Sequence, residues 1–168
     1  MSKTTVPASL VILLLVSVAG AVGWAGSHNG TTVGGVPLFL LGGLSTFALN
    51  WLAFIPAYLK QTERFFDLTG SASSLAILGL ILTFQVNLGL RDCLLASMVG
   101  LWSTRLGWFL VKRIRQDQSD RRFNSLKPDV AKFLMTWTLQ GFWVFLTLAC
   151  ALAAMTGTQN TPMDRLGW

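Results

Sequence analysis

Leu101 to Asp129 reads LWSTRLGWFLVKRIRQDQSDRRFNSLKPD. It opens apolar, carries Arg105 inside the apolar run, and turns at Lys112 into a dense basic segment. Placed between two long apolar runs, such a segment decides both the solvent of the chain and its orientation. The 168 residues are 52% hydrophobic and 12% charged, where a soluble domain carries about 25% charged residues. The deficit lies in runs long enough to span lipid, so the fold class is all-α, a polytopic membrane helix bundle of about five transmembrane helices. One membrane domain over 1–168 accounts for the whole chain.

Outward from this stretch, apolar runs are expected at about Ala8–Trp24, Val36–Leu59, Ala72–Leu90, Cys93–Val111 and Phe133–Met155. The first has a second reading as a cleaved signal, with one basic residue before it and small residues at its end. Pro37 suits the first turn of the second helix. Pro56 should kink or end that helix. Gly42 and Gly43 allow close helix contact, and Asn50 reads first as an interhelical hydrogen bond and second as a ligand contact. Gln85 and Asn87 sit near the far end of the third run, placed for an interface. Gly26–Gly35 is a Gly-rich loop without Lys or Arg, and Lys60–Ser71, KQTERFFDLTGS, is a second charged segment.

Five crossings put the two ends on opposite sides. Lys3, Lys60, Arg64 and the seven Lys/Arg of the long loop then share one side, ten in all, against Arg91 and Arg165 on the other. By the positive-inside rule the amino terminus and both charged loops face the cytoplasm, as in a bacterial inner-membrane protein. Cleavage of the first run would leave the loops oriented the same way. The net charge of +6 is thus explained by orientation and by contact with membrane lipids, and nucleic acid is not expected as a partner.

Catalytic candidates are few. His28 is the single histidine and cannot make a metal site; Cys93 and Cys150 have no metal-like spacing and read as lipid- or core-facing fillers. Arg105 should lie about two turns before the basic loop, roughly 10 Å at 1.5 Å per residue. It either snorkels and pairs with an acid or lines a polar cavity where it meets a phosphate or carboxylate. Glu63 and Asp67, four apart and entering from the same side, are its expected partners. A buried Glu63 could serve as a general acid; the plainer reading is a loop charge paired with Arg64 or Lys60. Trp102 and Trp108 lie one turn to either side of Arg105. With Trp51, Trp137 and Trp143 they are wall or packing aromatics. Arg121 and Arg122, beside Asp120, read as a solvated or lipid-contacting face, with nucleotide phosphates as the second reading.

PAYLKQTERFFDLTGS, then LWSTRLGWFLVKRI, DQSDRRFNSLKPD and MTWTLQGFWVF occur in this order. The ordered set resembles the DUF1295 membrane proteins of the steroid 5-alpha-reductase-like group, from about Asn50 onward. The resemblance implies an enzyme that uses NADPH to reduce a carbon–carbon double bond conjugated to a carbonyl in a steroid or other lipid. It implies Glu63, with Asp67 second, and Trp102 and Arg105 as the substrate-carbonyl set, and Arg121 and Arg122 toward the cofactor. Where the characterised reductases have a tyrosine three residues before the arginine, this chain has Trp102, whose indole donates a hydrogen bond but is no acid. The group's later cofactor-binding helix and its His-Pro-Asn-Tyr motif have no counterpart here. MDRLGW looks like the start of a further helix, so the expectation is an amino-terminal portion completed by a carboxy-terminal partner. The other readings are a non-catalytic membrane scaffold or assembly subunit and, on Pro56 and Arg105, a small transporter.

Overall fold

A computed structural model of the chain describes residues 6–85, 88–116 and 123–158. Five helices follow in order: α1 (Ala8–Gly26), α2 (Leu38–Leu59), α3 (Phe66–Phe84), α4 (Leu90–Gln116) and α5 (Val130–Thr156). All five are long and apolar enough to cross a membrane. The protein is a polytopic all-α bundle and an integral membrane protein.

The centre is the antiparallel pair α2 and α5. Small residues bring the two backbones together. A Cβ at Gly43 would lie 2.9 Å from the Phe145 ring, and one at Gly141 would lie 3.3 Å from the Thr46 carbonyl oxygen. Phe39 and Phe145 pack with ring centroids 5.5 Å apart. The Trp51 indole donates to Thr138 Oγ1 at 3.1 Å, a polar tie between the same two helices. Gly42 lies against Ile77 of α3 and Leu152 of α5, so the expected glycine contacts are both made. Asn50 Nδ2 reaches Ser73 Oγ of α3 at 3.4 Å as well as Thr46 O at 2.8 Å, the interhelical bond expected of it.

α1 and α4 are the two edges. They bury 11% and 17% of their spans, against 39% for each of the other three. Lipid is therefore the neighbour of most of their surface. α4 runs antiparallel to α3, with Ser71 Oγ donating to the Ser103 carbonyl at 2.7 Å and Gly107 leaving room for Ser71.

Two helices differ most from their expected bounds. α3 begins at Phe66 rather than Ala72 and ends at Phe84 rather than Leu90. The charged look of KQTERFFDLTGS hides Phe66, which packs on Phe123 and Trp137, while Asp67 sits in the first turn, where a carboxylate complements the helix dipole. α4 runs on to Gln116 rather than ending near Val111. Lys and Arg are good helix formers, and their charge suits a helix C-terminus. Pro56 lies inside α2 without ending it. Pro37 is the cap residue before α2 and not inside its first turn, because the helix starts at Leu38 rather than Val36. Cys93 and Cys150 are free and exposed. Gln85 is buried, as an interface residue should be; Asn87 lies outside the described residues.

The Gly-rich segment is ordered. Thr32–Val33 and Val36–Pro37 form a two-residue hairpin with Gly34 and Gly35 at φ +59° and +82°, a turn that glycine pairs favour. Beside it, Thr31 N donates to Thr156 O at 2.8 Å, Gly30 bridges Gly157, and Thr158 Oγ1 donates to Asn29 O at 2.7 Å. The α1–α2 connection is thereby fastened to the end of α5.

Candidate functional site

At the opposite end of the bundle, α3, α4 and α5 splay around a groove of about 280 Å³. α3 supplies Asp67, Gly70, Ser71 and Ser74, spaced i, i+3, i+4, i+7 along one face. α5 supplies Gln140, Trp143, Val144 and Thr147 at the same spacing. α4 closes the groove with Trp102, Leu106 and Leu110, four apart. Three helical faces with a polar residue on two of them give an apolar slot with a polar floor.

The polar groups differ in what they have left to offer. Ser71, Ser74 and Thr147 each donate their hydroxyl proton to a backbone carbonyl, so toward a ligand they present oxygen lone pairs. Gln140 has no side-chain hydrogen bond among the described residues. A Cβ on Gly70 would overlap Gln140 Nε2; the bare glycine lets the amide lie across α3. The Asp67 side chain is 48% exposed, and its Oδ2 meets Arg113 Nη1 at 3.5 Å. Trp102 and Trp143 are 47% and 66% exposed and stand at the lipid-facing edge of the groove.

The sequence candidates divide. Asp67 and Trp102 come together in the groove. Glu63 does not line it: its carboxylate lies in the α2–α3 connection and binds Lys127 Nζ at 2.8 Å. This pair sits beside an aromatic cluster of Phe66, Phe123, Phe133 and Trp137, through which the segment before α5 folds back onto the bundle. Arg105 is exposed and does not line the groove either. Its expected pairing with Glu63 or Asp67 is replaced by the Lys127 and Arg113 pairs. The reason is depth. Ser71 is level with Ser103 and Gly107, so Asp67, one turn nearer the loop, is level with the helix beyond Arg105. Because α4 continues to Gln116, Arg105 stands eleven residues, about 16 Å, from the helix end. Trp108, one turn on, carries Lys112 Nζ over its ring at 5.4 Å. Trp51 lines a separate apolar pocket of about 160 Å³ with Phe47 and Phe145, and Trp137 belongs to the aromatic cluster. Arg121, Arg122 and Asp120 lie outside the described residues.

Residues 53–168 match the family model described as a protein of unknown function, DUF1295. The chain belongs to the DUF1295 family. The DUF1295 region takes in the whole of α3, α4 and α5, hence every groove residue and the Glu63–Lys127 pair, and leaves α1 and the hairpin outside. No curated protein and no solved structure matches the chain.

Sequence reasoning missed Gln140 and Lys127. Gln140 had a signal, a lone amide in the apolar run MTWTLQGFWVF. Lys127 had none, being one basic residue among many until the fold brings it to Glu63.

The groove was tested against NADPH, the cofactor that the resemblance implies. Its volume falls just below the ~300–1,000 Å³ typical of small-molecule pockets. Its lining holds a carboxylate and no cation, with Arg113 at the rim engaged by Asp67. A dinucleotide brings phosphates that need cations or free helix N-termini. The described residues do not fit that group.

Proposed function

We propose that this DUF1295 chain is a membrane oxidoreductase-like protein of the steroid 5-alpha-reductase-like group. On this reading it holds the carbonyl end of an unsaturated ketone, in a steroid or other lipid. The observation that carries this reading is the α3–α4–α5 groove, with a polar floor, aromatic edge and unpaired amide. Gln140 Nε2 would donate to the carbonyl oxygen. The Trp102 indole would lie against the ring or chain, and Asp67 would face the polar end. Glu63 and Arg105 are assigned supporting positions outside the groove. NADPH as reductant, with Arg121 and Arg122 toward its phosphates, is the group's chemistry and is proposed only with a carboxy-terminal partner segment completing the site. Ten basic residues against two support a cytoplasmic amino terminus and cytoplasmic charged loops, in a bacterial inner membrane.

The poor fit of the described residues to a dinucleotide favours a second reading, a non-catalytic membrane scaffold or assembly subunit. One experiment separates the two. Native membranes carrying the protein are given NADPH and a panel of enone lipids, and NADPH oxidation is followed. Enone-dependent oxidation that is lost in Gln140→Leu supports the reductase. Absence of oxidation together with absence of enone quenching of tryptophan fluorescence would reject it in favour of the scaffold.

A further inference from the structure

We infer that the outer face of α4 holds the headgroup phosphate of an anionic phospholipid through Arg105 and Lys112. Met98, Trp102, Arg105, Phe109 and Lys112 follow one another at spacings of four and three, so they form one stripe along the helix. All five are exposed, on an edge helix whose span is only 17% buried. The stripe is thus lipid-facing, yet it holds two cations.

Arg105 has no ion pair or side-chain hydrogen bond among the described residues. A guanidinium facing hydrocarbon needs an anion, and its flat fork matches a phosphate in a two-bond arrangement. Lys112 stands two turns further on, about 10 Å along the axis, over the Trp108 ring. A phosphate drawn between them lies at the level of Trp108, where an indole suits the boundary between headgroups and chains. Met98 and Trp102, on the membrane-centre side of Arg105, offer the acyl chain an apolar track.

Charge complementarity favours lipid over a second copy of the chain. Among the described acids, Glu63 and Asp92 are buried. Asp67 is bound to Arg113, and Asp129 caps α5 outside the span. None presents a carboxylate on an exposed face at the depth of Arg105.

The test uses the full chain in phosphatidylcholine vesicles with spin-labelled phosphatidylglycerol or phosphatidylcholine, reading the protein-immobilised lipid fraction by electron paramagnetic resonance. Phosphatidylglycerol should be selected. Removal of either cation, in Arg105→Gln or Lys112→Gln, should lower that selectivity about fivefold, the effect of one basic residue near an anionic headgroup. Arg105→Lys should keep most of it, and Lys60→Gln, at the end of α2 and off this helix, should keep it all. Should Arg105→Gln fail to insert, Lys112→Gln against Arg105→Lys carries the same comparison. Equal immobilisation of the two lipids, or selectivity unchanged in Lys112→Gln, overturns the inference. So does displacement of the lipid by millimolar inorganic phosphate, which would make the ligand a free anion. A cross-linked dimer dissolved by Arg105→Gln without lipid selectivity would overturn it in favour of a second copy.

Discussion

Lys127 Nζ lies 2.8 Å from Glu63 Oε2, with the two side chains 16% and 6% exposed. Sixty-four residues apart in sequence, they join the connection before α3 to the segment before α5. A hydrogen bond from a charged donor to a buried carboxylate contributes about 1.5–3 kcal/mol. Lys127→Met should therefore destabilise the bundle by about 1.5–3 kcal/mol in detergent unfolding. The double variant Lys127→Met/Glu63→Leu should recover part of that loss; strictly additive effects would show that the pair is not coupled.

Gly43 in the α2–α5 seam and Gly79 on the open side of α3 predict opposite signs for glycine substitution. At Gly43 a Cβ would press on the Phe145 ring, itself buried and unable to move aside, so Gly43→Ala should cost about 1–3 kcal/mol. At Gly79 nothing lies within 4 Å of the new atom. There Gly→Ala should stabilise the helix by about 0.5–1 kcal/mol. Thermal melts of the two variants in one detergent check both.

In the groove, Gly70→Ala should displace Gln140 without removing it. If the amide donates to a ligand carbonyl, Gly70→Ala and Gln140→Leu should each weaken enone binding about fivefold, the value of one net hydrogen bond near 1 kcal/mol. Tryptophan quenching titrations give the affinity. A loss in Gln140→Leu alone would mean that the amide finds its partner from another position.

The start of α5 carries a pH prediction. Asp129 accepts a side-chain hydrogen bond from Lys132 and the backbone amides of Lys132 and Ala131, which hold its carboxyl below the ordinary carboxylate value. A lowered folded-state pKa adds stability above the ordinary value, and that stability is lost as pH falls through the lowered one. Amide protection at Ala131 and Lys132 should be flat at neutral pH and decline in acid. Asp129→Asn should flatten the dependence while keeping a cap.

Five crossings, the glycine contacts of α2 and the Asn50 bond to α3 were legible because each depends on composition or spacing within one helix. The start of α3 was not. Lys60, Glu63, Arg64 and Asp67 make that stretch look solvated, while Phe66 in its midst belongs to an aromatic core assembled from α5 and the preceding segment. Asp67 and Trp102 were found from the sequence and share the groove. Glu63 and Arg105 were found too, but the groove excludes them, since Glu63 lies in the connection before α3 and the register of α4 turns Arg105 to its exposed face. Gln140 reaches the groove through the gap left by Gly70, a relation between two helices that no single stretch displays.

The hydrogen bonds of Thr31, Gly30 and Asn29 to the end of α5 have a consequence for biogenesis. The α1–α2 connection takes its backbone partners from residues synthesised about 125 positions later. Until α5 has crossed the bilayer, those donors and acceptors near the lipid boundary have only water to satisfy them. The α1–α2 hairpin must therefore wait, already inserted but unfastened, for α5 to arrive. Insertion proceeds in chain order, but this fastening follows α5.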